Sequence, residues 1–196
     1  MHHAIPFVDI GPLFGAPSAA RDLTDRVIMA AAAESGFMVA RGFPEEVRTG
    51  SAARADLLRL FQLPEQETRK LWRRKFDAAN PNVYRGWFPL QTGFLTAKEG
   101  IDMGADVAYG RSVVQSDDPL REATPLPAED SLPGWRESVS SYYLGMEGAS
   151  QVLLRAIARG LLLEEHFFDH AFYRGLSTLR LLRYPIRTDA ARTAQS

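Results

Sequence analysis

Two short apolar stretches near the N-terminus flank a segment in which apolar residues recur at helical spacing. Residues 5–10 (IPFVDI) are rich in strand formers and end at a Gly-Pro pair, and residues 37–40 (FMVA) repeat that pattern. Between them, Leu23, Val27 and Ala31 lie on one side of a helix that Ser18 is placed to cap and that is expected to run to residue 35. The pattern predicts strand, helix, strand.

The middle of the chain is less regular. Residues 45–63 predict a helix, and Pro64 both ends it and begins a shorter one over residues 64–74. Residues 80–109 mix Asn, Pro and Gly with aromatic residues, which indicates loops and short strands. Residues 115–132 are rich in proline and predict a connection across the surface.

The clearest helical pattern covers residues 134–160. Its apolar positions, from Trp135 to Ile157, keep the three-and-four spacing of one stripe, and a helix of this length spans roughly 40 Å. The last apolar segment, residues 177–184 (STLRLLRY), alternates like a core strand. Leu179, Leu181 and the stem of Arg183 would face one way. Pro185 ends this strand, and a polar tail follows, so the strand is expected to have an unpaired edge.

Composition narrows the function classes. The 196 residues carry a net charge of -1, which gives no bulk attraction to nucleic acid or to an anionic membrane. The absence of cysteine excludes disulfides, thiolate metal sites and a cysteine nucleophile, and it fits a cytoplasmic protein. No signal peptide and no apolar run of about 20 residues is present. We therefore expect a cytoplasmic protein with neither nucleic acid nor membrane as a partner.

Metal-binding residue types occur in two places, and each has an ordinary structural explanation. His166 and His170 would share a helix face, as zinc ligands can, but they sit among three phenylalanines and favour a partly buried helix end. The stretch AKEGIDMGAD brings Glu99, Asp102 and Asp106 together, yet its spacing does not match a calcium loop, and a structural loop is predicted. His2 and His3 lie at the terminus, where a role is not expected.

No self-contained catalytic motif is found. The basic cluster RKLWRRK, residues 69–75, could contact phosphate but favours a solvated helix face in a chain of this net charge. Gly-rich phosphate loops and the G-x-S-x-G nucleophile turn do not occur in the sequence.

Six segments in order resemble one known family. They are IPFVDIGPL, AAAESGFMVARGF, LLRLFQLPEQETRKLW, NVYRGWFPL, AKEGIDMGAD and LRLLRYP. Together they are similar to the N-terminal portion of the isopenicillin N synthase-like family of 2-oxoglutarate- and Fe(II)-dependent oxygenases.

The resemblance implies a mixed α/β (α+β) fold. Residues 1–115 would form the N-terminal helical and mixed subdomain, and residues 116–176 a surface connection with the long backbone helix. Residues 177–196 would hold the first core strand and polar tail of a double-stranded β-helix, or jelly-roll, that is incomplete in this chain.

The resemblance also implies Fe(II) and 2-oxoglutarate as cofactors of the complete enzyme. Members of that family hold iron with a His-x-Asp and a distal His beyond the RYP strand. Those residues are absent here: Asp189 has Arg187, not His, two positions before it. We therefore expect no catalytic residue, no metal ligand and no bound cofactor in this chain alone.

By the same resemblance, several residues would bind substrate or co-substrate. These are Tyr84, Arg85, Trp87, Phe88 and Tyr184. Leu182 stands where many plant members of the family have an Asn, which puts a co-substrate contact from that position in doubt. Plain core packing is the alternative for Trp87 and Tyr184.

Two functions follow from this sequence. The first is the N-terminal part of an oxygenase that hydroxylates or oxidatively cyclises a small organic molecule, bound jointly with a missing C-terminal half, so that the chain alone is inactive. The second is a non-catalytic, truncated remnant that acts as a binding or oligomerisation module through the unpaired strand.

Overall fold

The structure, a computed structural model, describes residues 4–91, 97–115, 117–173 and 175–185. Helices and strands are mixed along the chain, as predicted. In order they are β1 (Phe7–Asp9), α1 (Ala19–Glu34), β2 (Val39–Arg41), α2 (Ser51–Leu58), α3 (Glu65–Arg69), β3 (Gly86–Phe88), β4 (Glu99–Met103), α4 (Asp106–Tyr109), α5 (Trp135–Gly160), α6 (Asp169–Phe172) and β5 (Leu179–Arg183). Within the described ranges, no helix is both long and apolar enough to cross a bilayer.

The chain forms two compact units. Unit 1 consists of Met1–Ala53 and Ser140–Gly175, and unit 2 of Arg54–Val139 and Leu176–Ser196. The chain passes between the units three times: inside α2, inside α5, and between residues 175 and 176. The units therefore interleave along the sequence, whereas the domains predicted from the resemblance are the consecutive segments 1–115, 116–176 and 177–196.

Unit 1 is built on the predicted strand, helix and strand. β1 and β2 pair in parallel, with Val8 opposite Ala40, and the Ser18 hydroxyl caps α1 by accepting a 3.2 Å hydrogen bond from the Arg21 N–H. The strands are shorter than predicted. A buried cluster joins β1, α1 and the C-terminal part of α5: Val8, Ile10, Leu13, Ile28 and Ala156.

Ion pairs fix the C-terminal end of α5 within unit 1. Arg159 makes a bidentate contact with Asp25 of α1, both N–O distances being 2.7 Å, and also contacts Glu165 at 2.8 Å. Glu165 accepts two further bonds of 3.2 Å from Arg21. This chain of alternating charges holds the segment after α5 against α1.

Unit 2 contains an antiparallel sheet in the order β3–β4–β5. Its central strand, β4, is buried at every position and lies where the sequence predicted a structural loop. The loop prediction for this stretch was wrong because cross-strand partners outweigh the low strand propensity of residues 99–103 (EGIDM), whereas the short strands predicted within residues 80–109 are present as β3 and β4. The predicted last strand is present as β5. It is not without a partner, because one edge pairs with β4, while its other edge has no partner among the described strands.

Two helices predicted between residues 45 and 74 are shorter than expected. The helix predicted over residues 45–63 begins only at Ser51, because Val47 closes a turn onto the Pro44 carbonyl. The helix predicted over residues 64–74 ends at Arg69. Beyond it, the backbone around Trp72 pairs with β3, since Trp87 donates to the Leu71 carbonyl and Arg73 to the Trp87 carbonyl.

The long helix is confirmed as α5, which covers 26 residues. Its first turn belongs to unit 2, where Trp135 is fully buried and its indole N–H donates to the Leu57 carbonyl at 2.9 Å. A buried indole needs such a partner. The hydrophobic stripe therefore contributes to the cores of both units.

The close approach of β4 and β5 generates a first prediction. A Cβ at Gly100 would overlap the Leu181 carbonyl oxygen and lie 2.8 Å from the Phe88 ring. Gly100→Ala should therefore lower the free energy of unfolding by about 2 kcal/mol or more, as measured by urea denaturation.

The matched control is Gly148→Ala in α5, where an added Cβ meets nothing within 4 Å. This change should be neutral or should stabilise the protein by up to about 1 kcal/mol. Equal destabilisation by the two changes would contradict the described packing of β4 on β5.

Candidate functional site

The most unusual side chain of the sheet is the carboxylate of Asp102. It is 0% exposed at the centre of β4, and it accepts hydrogen bonds of 2.5 and 2.7 Å from Nε and Nη2 of Arg180 on β5. Arg73 approaches from outside the sheet and forms a second ion pair with Oδ2 of Asp102. One buried carboxylate thus holds two guanidinium groups.

The neighbouring strand leaves room for this arrangement. Gly86 stands opposite Asp102 in the β3–β4 register, so no side chain fills the space that Arg73 uses. Gly86 has φ +115° and lies so near the Leu71 carbonyl that a Cβ would be 2.6 Å from its oxygen. The Gly86 carbonyl in turn accepts a 3.3 Å bond from Nε of Arg73.

Aromatic rings surround the two arginines. The Phe88 ring lies 5.0 Å from the Arg73 guanidinium and 5.8 Å from that of Arg180, and the Tyr84 ring lies 5.5 Å from Arg73. The hydrogen bond to Asp102 raises the pKa of Arg180, and the phenol groups of Tyr84 and Tyr184 act in the same direction. We call this surface the Asp102 face: Arg73, Tyr84, Phe88, Asp102, Arg180 and Tyr184.

The structure therefore brings three of the predicted binding residues together, Tyr84, Phe88 and Tyr184. The other two are not part of this surface, although the Arg85 guanidinium lies 5.3 Å from the Tyr84 ring. Arg85 is 1% exposed, and its guanidinium donates to the carbonyls of Leu120 (2.6 Å) and Met103 (3.0 Å) and to the Thr178 hydroxyl (2.7 Å). These contacts hold the loops around the sheet together.

Trp87 lies on the opposite face of the sheet, because side chains alternate along a strand. It stands beside Ile101, and its ring is 5.1 Å from that of Phe61. It lines a separate cavity of about 340 Å³ whose wall also includes Trp72 and the ion pair of Glu99 with Arg183. The predicted segment 84–88 thus serves two different surfaces.

The sequence predicted a solvated helix face for the basic cluster at residues 69–75, and this prediction is only partly correct. Arg69 does lie at the surface, where it pairs with Glu65 at 2.8 Å and stacks on Trp72. Arg73 turns inward to Asp102 and is only 16% exposed. The prediction was wrong for Arg73 because α3 ends before it and the chain continues toward β3.

The three acidic residues of the AKEGIDMGAD stretch each have a different partner. Glu99 pairs with Arg183, Asp102 holds its two arginines, and Asp106 accepts from the N–H (2.7 Å) and the hydroxyl (2.6 Å) of Thr124. Across the described ranges, no group of three or more His, Asp or Glu side chains could hold a metal ion. The described residues therefore do not fit an iron centre.

The two histidines of HFFDH do not share a helical turn. His166 precedes α6, and its Nδ1 lies 2.8 Å from Oδ2 of Asp169, whereas His170 belongs to α6 itself. Asp169 is also held by Arg155 at 3.1 and 2.7 Å. The segment is a helix start held by ion pairs. His2, His3, Arg187 and Asp189 lie outside the described residues.

Comparison with known proteins points to one group. No family model matches the chain. It is 29% identical over 185 residues to isopenicillin N synthase of Streptomyces clavuligerus, covering 92% of this chain and 55% of that protein. With the 2-oxoglutarate-Fe(II) type oxidoreductase hxnY of Emericella nidulans, it shares 27% identity over 196 residues, or 93% and 53% of the two chains.

Solved structures show the same relationship at the level of the fold. A full-length Neurospora crassa protein, crystallised in complex with alpha-KG, matches with a TM-score of 0.72 at 20% identity, over 96% of this chain and 57% of that one. A protein assigned to the 2OG-Fe(II) oxygenase family from Caulobacter crescentus matches with a TM-score of 0.70 at 24% identity, over 93% and 56%. The predicted resemblance to the isopenicillin N synthase-like oxygenases is confirmed.

The chain spans about half the length of the curated isopenicillin N synthase-like relatives that it matches. Within that half, the resemblance pointed to Tyr84, Phe88 and Tyr184 but missed Arg73, Asp102 and Arg180. One signal was available in the sequence: an Asp in one apolar stretch and an Arg in another are typical of a buried ion pair between strands.

The buried carboxylate generates a second prediction. Asp102→Asn leaves two guanidinium groups facing each other without their common partner, so it should lower the free energy of unfolding by about 3–5 kcal/mol in a urea titration. Glu65→Gln, which removes the exposed pair with Arg69, should cost less than about 1 kcal/mol. Similar losses from both changes would show that Asp102 is not buried as described.

The Asp169 pair generates a third prediction, which concerns pH. The bond from Arg155 is the main cause that lowers the pKa of Asp169 from 3.8 to about 2 in the folded protein. Because the folded-state pKa lies below the unfolded value, the pair stabilises the protein above about pH 4, and this stabilisation disappears as the pH falls toward 2.

Asp169→Asn should accordingly lower the urea midpoint at pH 6 and flatten its decline between pH 4 and pH 2. Arg155→Gln, which leaves the carboxyl group in place, should do the same. Parallel curves for the variants and the wild-type protein over that range would refute the assignment.

Proposed function

We propose that the chain is the N-terminal part of a non-haem Fe(II), 2-oxoglutarate-dependent oxygenase that hydroxylates or oxidatively cyclises a small organic molecule. The observation that carries the proposal is the Asp102 face. It gathers Tyr84, Phe88 and Tyr184, which the resemblance predicts to line the pocket, on one side of β3–β4–β5. The relatives and the matched folds support the same reaction class.

In this proposal the sheet β3–β4–β5 forms the first wall of the jelly-roll. Fe(II) would supply the oxygen chemistry in the longer protein, with 2-oxoglutarate as co-substrate. Because the described residues do not fit an iron centre, no catalytic step is assigned to them. Their part is to bind and orient the substrate and to exclude water from one side of it.

Metal binding tests this function. Anaerobic addition of Fe(II) and 2-oxoglutarate to the 196-residue chain should produce no visible charge-transfer band, because the iron ligands are not in it. The same addition to an extended polypeptide, in which a His-x-Asp and a distal His follow Ser196 in the order of the family, should produce the band. A band from the 196-residue chain, or none from the extended one, would overturn the proposal.

One observation favours a second function, a non-catalytic oligomerisation module. Among the described strands, β5 pairs on one side only, with β4, and its other edge offers backbone groups for a further strand. Size-exclusion chromatography with light scattering over a concentration series separates the two functions. A stable dimer of the isolated chain without metal binding by the extended polypeptide would favour the module.

A further inference from the structure

We propose that the Asp102 face binds the carboxylate group of a small organic acid, with Arg180 as the residue that contacts it. The inference rests on the proposed function for the statement that this acid is a substrate or co-substrate. The binding itself requires neither iron nor the rest of the enzyme.

The charges on the face do not balance. Asp102 contributes one negative charge, and Arg73 and Arg180 contribute two positive charges. The Glu122 carboxylate, which lies beside this segment, is engaged by the backbone N–H groups of residues 83–85 at 2.8 to 3.1 Å, and Asp106 is engaged by Thr124. One guanidinium charge therefore remains, and an anion is the ligand that would compensate it.

Arg180 is the accessible member of the pair. Its side chain is 45% exposed, whereas that of Arg73 is 16% exposed. Arg180 uses Nε and Nη2 for Asp102, so the bonds described here leave Nη1 available for a second acceptor. Asp102 fixes the orientation of the guanidinium group, so a ligand does not have to order it.

The surroundings indicate which anion is favoured. The rings of Phe88 and Tyr84 lie against the guanidinium groups, and Tyr184, 61% exposed, stands at the end of β5. Because Phe88 is only 8% exposed, the accessible rings near the excess cation are those of Tyr84 and Tyr184, and they suit a carboxylate on a flat or apolar body. A compact, strongly hydrated inorganic anion would gain nothing from the rings.

The experiment uses the 196-residue chain labelled with ¹⁵N, without metal. Benzoate is titrated while the side-chain Nε–H resonances of arginine are followed by NMR, and Arg180→Gln assigns the resonance of Arg180. We expect saturable movement of that resonance with benzoate and none with benzamide, which has the same ring without the charge. Equal movement with both compounds, or with neither, overturns the proposal.

Arginine variants provide the matched comparison. In this comparison binding is followed through the backbone N–H resonances of β5, since Arg180→Gln removes the Nε–H signal. Arg180→Gln should weaken benzoate binding at least about tenfold, because a hydrogen bond to a charged group is lost. Arg183→Gln makes the same chemical change on the same strand but on the opposite face, and it should leave the affinity within about twofold. Equal weakening by both variants would mean that the effect is not local to the Asp102 face, and would contradict the proposal.

Two sources of carboxylate are separated by a competing titration with 2-oxoglutarate. If 2-oxoglutarate binds to the face more tightly than benzoate does, the position is assigned to the co-substrate. If benzoate binds more tightly, the position is assigned to the substrate. Failure of benzoate and 2-oxoglutarate to bind while the extended polypeptide still binds Fe(II) would refute this inference alone. If the 196-residue chain binds the carboxylate but the extended polypeptide does not bind Fe(II), only the oxygenase function is refuted.

Discussion

The arrangement of unit 2 depends on the burial of the Asp102 carboxylate between two arginines. A carboxylate removed from water is costly unless charges and hydrogen bonds compensate it, and here both oxygens are engaged. The compensation comes from β5 and from the segment after α3, so that the ion pairs join three separate parts of the chain, β4 included. Their register is therefore restricted, because a shift of one residue would turn Asp102 to the other face and leave both guanidinium groups without it.

The two faces of the sheet serve different purposes as a consequence. One face carries the charge cluster and its aromatic neighbours, and there the Arg180 side chain is partly exposed to solvent. On the other face, Trp87, Ile101 and Leu181 are packed in the core. The same alternation that builds the core thus separates residues that are adjacent in sequence, so that Trp87 and Phe88 of the segment 84–88 face opposite sides of the sheet.

The sequence pattern correctly predicted the features that depend on residues within a single helix or strand. The stripe of α5, the Ser18 cap of α1 and the alternation of β5 all depend on spacing within one element, and the structure agrees with them. β4 could not be found in this way, because residues 99–103 include two acidic positions and a glycine and become a strand only through partner strands that are distant in the sequence. The site itself was half predicted. Tyr84, Phe88 and Tyr184 came from resemblance, whereas Arg73 and Arg180 became visible only when the register placed both at Asp102.

The central claim, that the Asp102 face is the wall of an oxygenase site, is tested most directly by paramagnetic relaxation in the extended polypeptide with Mn(II) in the place of iron. The account predicts that the resonances of Tyr84, Leu182 and Tyr184 broaden strongly, while those of Trp72, Trp87 and Arg183 on the opposite face remain sharp. Stronger broadening of Trp72, Trp87 and Arg183 would contradict the account, since it would place the metal on the other side of the sheet.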